Sequence, residues 1–401
     1  RGNYFVCDPA NNLVHRCLLE RDGMIYTARR APGEEQSEFL ASTDQWFRPM
    51  NLLTGLDGAI YIVDMYREII EDFSAIPRFL QQQYAESLIA GKDHGRIWRL
   101  VHRSPHAPRV EAAAHRASLL HSASAAELVR HLAHPNAWWR ETAQRLLVER
   151  GDKSERAALA QLVRSGATPQ ARMHALYTLD GLESLEPGDV LPALGDASYG
   201  VRLHALQLAE HWLGRSGRHD QRDVAAPRPP NAHPAILERV LGIVDDPDPR
   251  VRLQAAMTLG ESRDPRTIDA LARLAVEHGD ERWMSAAIIS SVVETADALT
   301  AKLLDHETLT PGSLTLLGLL AETVGARHDD AAIGRVLERI SNRSGIGAAE
   351  TQRNILDGLA RGLSRGKPSA RAPAAGVRGV ERLLVSESPE VRQRALHIAG
   401  L

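Results

Sequence analysis

One pattern recurs along the second part of this chain and constrains its fold more than any other feature. An apolar or small residue is followed by Arg, two residues, Ala, three residues and another apolar or small residue. The copies are Trp139-Arg140…Ala143…Leu147, Ala171-Arg172…Ala175…Leu179, Val201-Arg202…Ala205…Ala209, Val251-Arg252…Ala255…Leu259 and Val391-Arg392…Ala395…Ala399. Weaker copies fit at Trp283-Met284…Ala287 and near Arg353…Leu356…Ala360. The first three arginines follow one another at roughly 30 residues, room for two helices and their turns. The step from Arg202 to Arg252 is longer and contains 214–234, GRSGRHDQRDVAAPRPPNAHP, too rich in Pro, Gly and charge for a helix and read as an inserted loop.

A two-helix unit cannot bury its apolar face alone, so repeated units must stack into a solenoid. Pro or Asp ahead of the second helix stops the first and caps the second. Ala lets neighbouring helices approach, and Leu fills the layer between units. The recurrent Arg reads as structural, its stem along the helix and its head on an adjacent carboxylate or carbonyl. The Asp-Pro-x-Val-Arg-x-x-Ala form at Asp248–Ala255 resembles HEAT-type repeats. Residues 105–401 are therefore expected to form an all-α, HEAT-like solenoid.

Before residue 105 the period changes from helical to alternating. Strands are predicted at Asn3–Asp8, Leu13–Leu19, Met24–Arg29, 38–41, 51–54, 59–65 and Ile97–Val101, with a helix over Phe79–Ala90. Asp22-Gly23 and Asp57-Gly58 mark tight turns, because Asp-Gly tolerates the positive φ a hairpin needs. Pairing Asp8 with Leu13 sets Cys7 opposite Val14 and turns Cys17 to the other face. Two buried thiols are therefore expected rather than a disulfide, which needs Cα atoms within ~7 Å.

The stretch Ser42–Asp72, read as STDxWFRPxNLxTGxDGAxYxVDMYR and followed by Gly95-Arg96-Ile97-Trp98-Arg99-Leu100, resembles a known family. It looks like the end of the propeller in the membrane-bound dehydrogenase-like proteins with a PVC-type haem-binding tail. Their propellers are similar to soluble quinoprotein glucose dehydrogenases and are followed by helical repeats and a small cytochrome c domain. The resemblance covers roughly the first hundred residues. It implies an α+β multidomain chain: 1–104 as the C-terminal fragment of a β-propeller, about one to two blades at four strands each, then the solenoid of 105–401. It also implies an exported, periplasmic or cell-envelope protein whose full-length form oxidises a sugar or alcohol. Pyrroloquinoline quinone and c-type haem would be its cofactors. This chain carries only Cys7 and Cys17, neither in Cys-x-x-Cys-His, so no cofactor is evident in it. It opens at Arg1 within what reads as a strand, so it is expected to be a fragment, inactive alone.

A formal net charge of −3 argues against a nucleic-acid partner. No apolar run approaches the ~18–20 residues of a membrane span. His102-x-x-x-His106 and His131-x-x-His134 have helical metal spacing, but no carboxylate or Cys completes a set, so no metal site is expected. The candidate ligand group is Arg48, Asn51, Asp64, Tyr66, Arg67, His94 and Arg96, near strand ends. Under the resemblance, Arg48, Asp64, Tyr66, Arg67, His94 and Arg96 are cofactor-binding candidates, an arginine holding a quinone's carboxylates. A His acting as base on a hydroxyl is expected in N-terminal blades outside this chain, and the catalytic residue is left unassigned. On the residues alone, Asp64 continues the buried row of Ile60 and Ile62, so its carboxylate must either pair with a cation, with Arg48 or Arg67 in reach and pairing favoured, or emerge at the strand's end as a free, ligand-facing group. The rival function is a non-catalytic scaffold whose solenoid surface holds a protein or polysaccharide partner.

Overall fold

Turn chemistry and alternation lay out the N-terminal strands. In the computed structural model, which describes residues 2–102, 119–214, 232–365 and 374–400, they form two sheets. The first contains β1 (Asn3–Asp8), β2 (Leu13–Asp22), β3 (Ile25–Arg30) and the short β4 (Leu40–Ala41), all antiparallel to β2. The second contains β5 (Pro49–Thr54), β6 (Ile60–Asp64) and, after two short helices α1 (Arg78–Gln83) and α2 (Ala85–Ile89), β7 (Arg96–Leu100), in the order β5-β6-β7. Cys7 lies opposite Val14 as the turn residues required, and both cysteines are free. Val14, Phe47 and Ile62 form the buried centre joining the sheets, with Phe5, Phe39 and Leu52 packed against it.

Neither sheet closes. The described strands form a β-rich region, and the expected propeller blades are not shown. The single helix expected over Phe79–Ala90 is two helices, broken where Tyr84 adopts φ −110° and ψ 23°. The expected boundary near 105, His106, and most of the inserted loop of 214–234 lie outside the described residues.

By contact, the chain divides into two compact units, 1–185 and 186–401. The first holds the sheets and helices α3 (Ala125–His131), α4 (Ala137–Arg150), α5 (Arg156–Ser165) and α6 (Pro169–Gly181). There α3 packs on α4, α5 on α6, and α4 beside α6.

The second unit continues the alternation. Its helices are α7 (Pro187–Ala193), α8 (Tyr199–Ala209), α9 (Pro234–Gly242), α10 (Pro249–Leu259), α11 (Arg266–His278) and α12 (Met284–Ser291). Then come α13 (Ala296–Leu303), α14 (Pro311–Ala326), α15 (Asp330–Ser341), α16 (Ala348–Leu363), α17 (Ala374–Leu384) and α18 (Pro389–Ala399). Even-numbered helices from α8 to α18 pack in one row and odd-numbered ones from α7 to α17 in another, the layering of a helical solenoid. The only β feature among its described residues is a single bridge between Gly214 and Ser262.

The repeat's chemistry explains this layering. Proline opens α6, α10, α14 and α18, where its missing N–H costs nothing, and Thr168, Asp248, Thr310 and Ser388 cap the same helices. Each repeat Arg reaches back six residues to a main-chain carbonyl ahead of its helix. Arg140 donates to His134 O at 2.8 Å, Arg172 to Gly166 O at 2.6 Å and Arg202 to Asp196 O at 2.8 Å. Arg252 does so to Asp246 O at 2.7 Å and Arg392 to Ser386 O at 2.6 Å. Arg202 also grips the next repeat through two parallel bonds to Asp246, at 2.7 and 2.8 Å. The Arg is thus structural, as its spacing suggested. Between α14 and α16 the spacer is glycine: a Cβ on Gly358 would sit 2.1 Å from Gly318 O.

Candidate functional site

The register of β6 and β7 assembles the site. Asp64 pairs with Arg96 and Ile62 with Trp98, so Arg96 and Trp98 project from the same sheet face as Asp64. Asp64 is 1% exposed, and four donors converge on it. The amides of Arg48 (2.8 Å) and Tyr66 (3.0 Å) donate to Oδ1. Arg96 Nε (2.7 Å) and the Trp98 indole (2.9 Å) donate to Oδ2. Burial pushes this carboxyl up, but the donors, the Trp98 indole foremost, together outweigh it and hold it below the usual carboxylate range.

The cation expected for Asp64 is therefore present, but it is Arg96 rather than Arg48 or Arg67. The Arg48 guanidinium instead straps main chain together: Nε donates to Arg67 O at 2.9 Å, Nη1 to Pro9 O at 2.7 Å and Nη2 to Glu68 O at 2.5 Å. Arg67 turns back to the carbonyl of Tyr66 at 3.3 Å. Asn51 is exposed beside a β-bulge, and its Oδ1 accepts the neighbouring Leu52 amide, so it is not part of the cluster.

Around Arg96 the cluster is aromatic. Its guanidinium lies 4.1 Å from the Tyr66 ring centre and 5.1 Å from that of Trp98. Tyr66 in turn packs against Trp46 at 5.1 Å and His94 at 5.9 Å. Nη1 of Arg96 donates to Asp44 at 2.8 Å, while Nη2 has no hydrogen-bond partner among the described residues. Tyr66 takes φ 56°, a left-handed conformation held by its amide's bond to Asp64. Gly91, at φ 76°, is the close approach that makes room: a Cβ there would lie 2.6 Å from Tyr66 O.

Asp44, Trp46 and Trp98 are members that sequence reasoning did not single out. Asp44 and Trp46 stand in the STDxW run, and Trp98 was readable from the alternation Arg96-Ile97-Trp98 set against Asp64. A saturated carboxylate of lowered pKa is no general base. His94, exposed at the rim, is the one imidazole in the cluster. Among the described residues no group of His, Cys, Asp and Glu is placed to hold a metal ion, and no helix is long and apolar enough to cross a membrane.

Residues 1–104 match the model of a domain of unknown function, DUF7133. Residues 189–292, from α7 to α12, match HEAT repeats. Neither match carries the dehydrogenase designation implied by the resemblance. No curated protein matches the chain. Among solved structures, the chain is similar to that described as "Crystal structure of Kap121p bound to Pho4p", at 10% identity and a TM-score of 0.33. That likeness covers 69% of this chain but only 37% of the other.

Proposed function

We propose that this chain is a non-catalytic interaction scaffold, an open β-rich region followed along the chain by a HEAT-type array, that holds a protein partner on its even-numbered helices. One observation carries the reading: Asp64, the buried carboxylate of the candidate site, accepts from four internal donors, which leaves no free lone pair to take a proton from a substrate. The even-numbered row also offers an open cleft of about 410 Å³ between α14 and α16, as much apolar as polar, where Leu314 and Leu319 stand beside Glu350, Asn354 and Arg361. Cross-linking of the chain with a captured partner should place contacts on Glu350 and Arg361, and Arg361→Glu with Glu350→Lys should release it. Contacts confined to residues 1–104, or binding untouched by both changes, would overturn the reading.

A second reading keeps the redox role for the full-length protein: oxidation of a sugar or alcohol in the cell envelope, with electrons passed to a c-type cytochrome. It is favoured by the aromatic setting of Arg96 and its unpartnered Nη2. Redox titration of the full-length protein with and without added quinone and calcium tests it. Spectra and turnover unchanged by both additions would remove it.

A further inference from the structure

In four repeats the residue whose carbonyl the repeat Arg holds also uses its side chain to accept the amide two residues on. Asp196 accepts from Ser198 at 2.7 Å, Asp246 from Asp248 at 2.9 Å and Ser386 from Ser388 at 3.3 Å. In the first repeat the acceptor is an imidazole: His134 Nδ1 takes the Asn136 amide at 3.0 Å. That bond fixes the ring's proton on Nε2. Of the four acceptors, only this one titrates near neutral pH.

This repeat is also where helical loop and β-turn meet. Asn136 Nδ2 donates to Gly55 O at 2.9 Å and Leu56 O at 3.3 Å, and Trp139 Nε1 donates to Leu56 O at 2.8 Å. Asn136 Oδ1 meanwhile caps α4 through the Trp138 amide at 3.0 Å. The buried Trp139 indole is covered by two imidazoles, His131 at 5.2 Å and His134 at 5.3 Å, whose own centres are 6.2 Å apart.

We propose that this grip is an acid-sensitive latch: protonation of His134 turns the acceptor of the Asn136 amide into a donor and frees Asn136 and Trp139 from the Gly55–Leu56 turn. The neighbouring charges favour a neutral His131, and the Asn136 amide aimed at Nδ1 favours a neutral His134. Arg140 binds the His134 carbonyl, and Arg130 lies on the helix of His131. Glu127 opposes them but is shared with Arg130 at 3.8 Å, and on the turn Asp57 is paired with Arg99 at 2.8 Å. Burial first, then the His134 and Arg130 charges, lower the His131 pKa. An imidazolium would gain from stacking on Trp139. Two of them on one indole repel, and the Nδ1 proton would face the Asn136 N–H. The sign follows: a His held neutral by the fold loses its stabilising share as pH falls below about 6.5.

Hydrogen exchange of the 401-residue protein, corrected for intrinsic rates, tests the latch over peptides spanning 53–60 and 134–142. From about pH 7.5 to about pH 5.5, protection there should fall about tenfold, the factor of one pH unit of coupling. His134→Asn, which keeps an acceptor that does not titrate, should hold protection flat. Protection that stays flat in the native protein, or falls equally in His134→Asn, overturns the proposal. Nitrogen NMR of His134 in the unaltered protein gives an independent reading. Its protonation midpoint should coincide with the opening, and a ring still neutral after protection is lost would also overturn the latch.

Discussion

Arg96 Nε donates to Asp64 Oδ2 at 2.7 Å across the β6–β7 pair, while Arg48 reaches the same carboxylate only through its main-chain amide. Breaking this pair strands a buried charge. Arg96→Ala should cost about 3 kcal/mol in denaturant melts. Arg48→Ala should leave the Asp64 bonds intact, since its guanidinium serves the carbonyls of Pro9, Arg67 and Glu68. A cost for Arg96→Ala below about 1 kcal/mol would mean that the remaining three donors suffice.

The Asp64 carboxyl, held below its usual range, also predicts an acid limb. An unfolded Asp binds its proton near pH 3.9, before the folded one does, so stability is present above that pH and lost as pH falls through the lower folded value. Urea melts of Asp64→Asn should show less loss below about pH 4 than the native protein, at the cost of lower stability near neutrality.

His174 gives a second, separable limb. It is 9% exposed, its Nδ1 lies 2.6 Å from Gln144 Oε1, and its pKa is lowered to about 4 by burial first and the Arg140 charge second. Its folded pKa is depressed, so stability declines as pH falls below the unfolded value of about 6.5. NMR should find the His174 midpoint near 4, and a midpoint above 6 would show that the ring is solvated.

At the α14–α16 contact, Gly358→Ala should cost about 1–3 kcal/mol, because the added methyl meets Gly318 O and the overpacking exceeds the roughly 1 kcal/mol that Ala gains as a helix former. Ala255→Leu should cost a similar ~1–3 kcal/mol, since Ala255 is wholly buried. A stabilised Gly358→Ala variant in thermal melts would show that the two helices separate without loss.

Arg202 and Arg392 share the six-residue reach but differ beyond it. Arg202→Lys should lose the paired bonds to Asp246 and cost about 2 kcal/mol, because an ammonium cannot match a carboxylate fork. Among the described residues Arg392 binds only the carbonyls of Ser386 and Glu387, so Arg392→Lys should cost about 1 kcal/mol or less. Equal costs in paired melts would mean that the carbonyl bond dominates both.

Helical period, capping residues and the repeat Arg were legible because each acts locally: Asp248-Pro249 fixes a helix start whatever surrounds it. The Asp8–Leu13 pairing was legible too, since a short turn dictates register. The partner of Asp64 was not. Arg48 and Arg67 are its neighbours in sequence, whereas Arg96 arrives from across a long excursion through α1 and α2. Cross-strand geometry, not proximity along the chain, chose the cation. Closure of the sheets was likewise beyond the motif, because it depends on strands that pair over longer distances than Ser42–Asp72 spans.

A guanidinium that grips main-chain oxygen reads geometry and ignores side-chain identity. The residues held by the repeat arginines are His134, Gly166, Asp196, Asp246 and Ser386; four of them also accept an amide through the side chain, but Gly166, which has none, is held by the same carbonyl bond. The carbonyl grip thus tolerates different residues in the loops between paired helices while each pair stays closed on itself. Such an array can grow, shrink or acquire new loops by duplication and divergence, provided the arginine and its reach are inherited together.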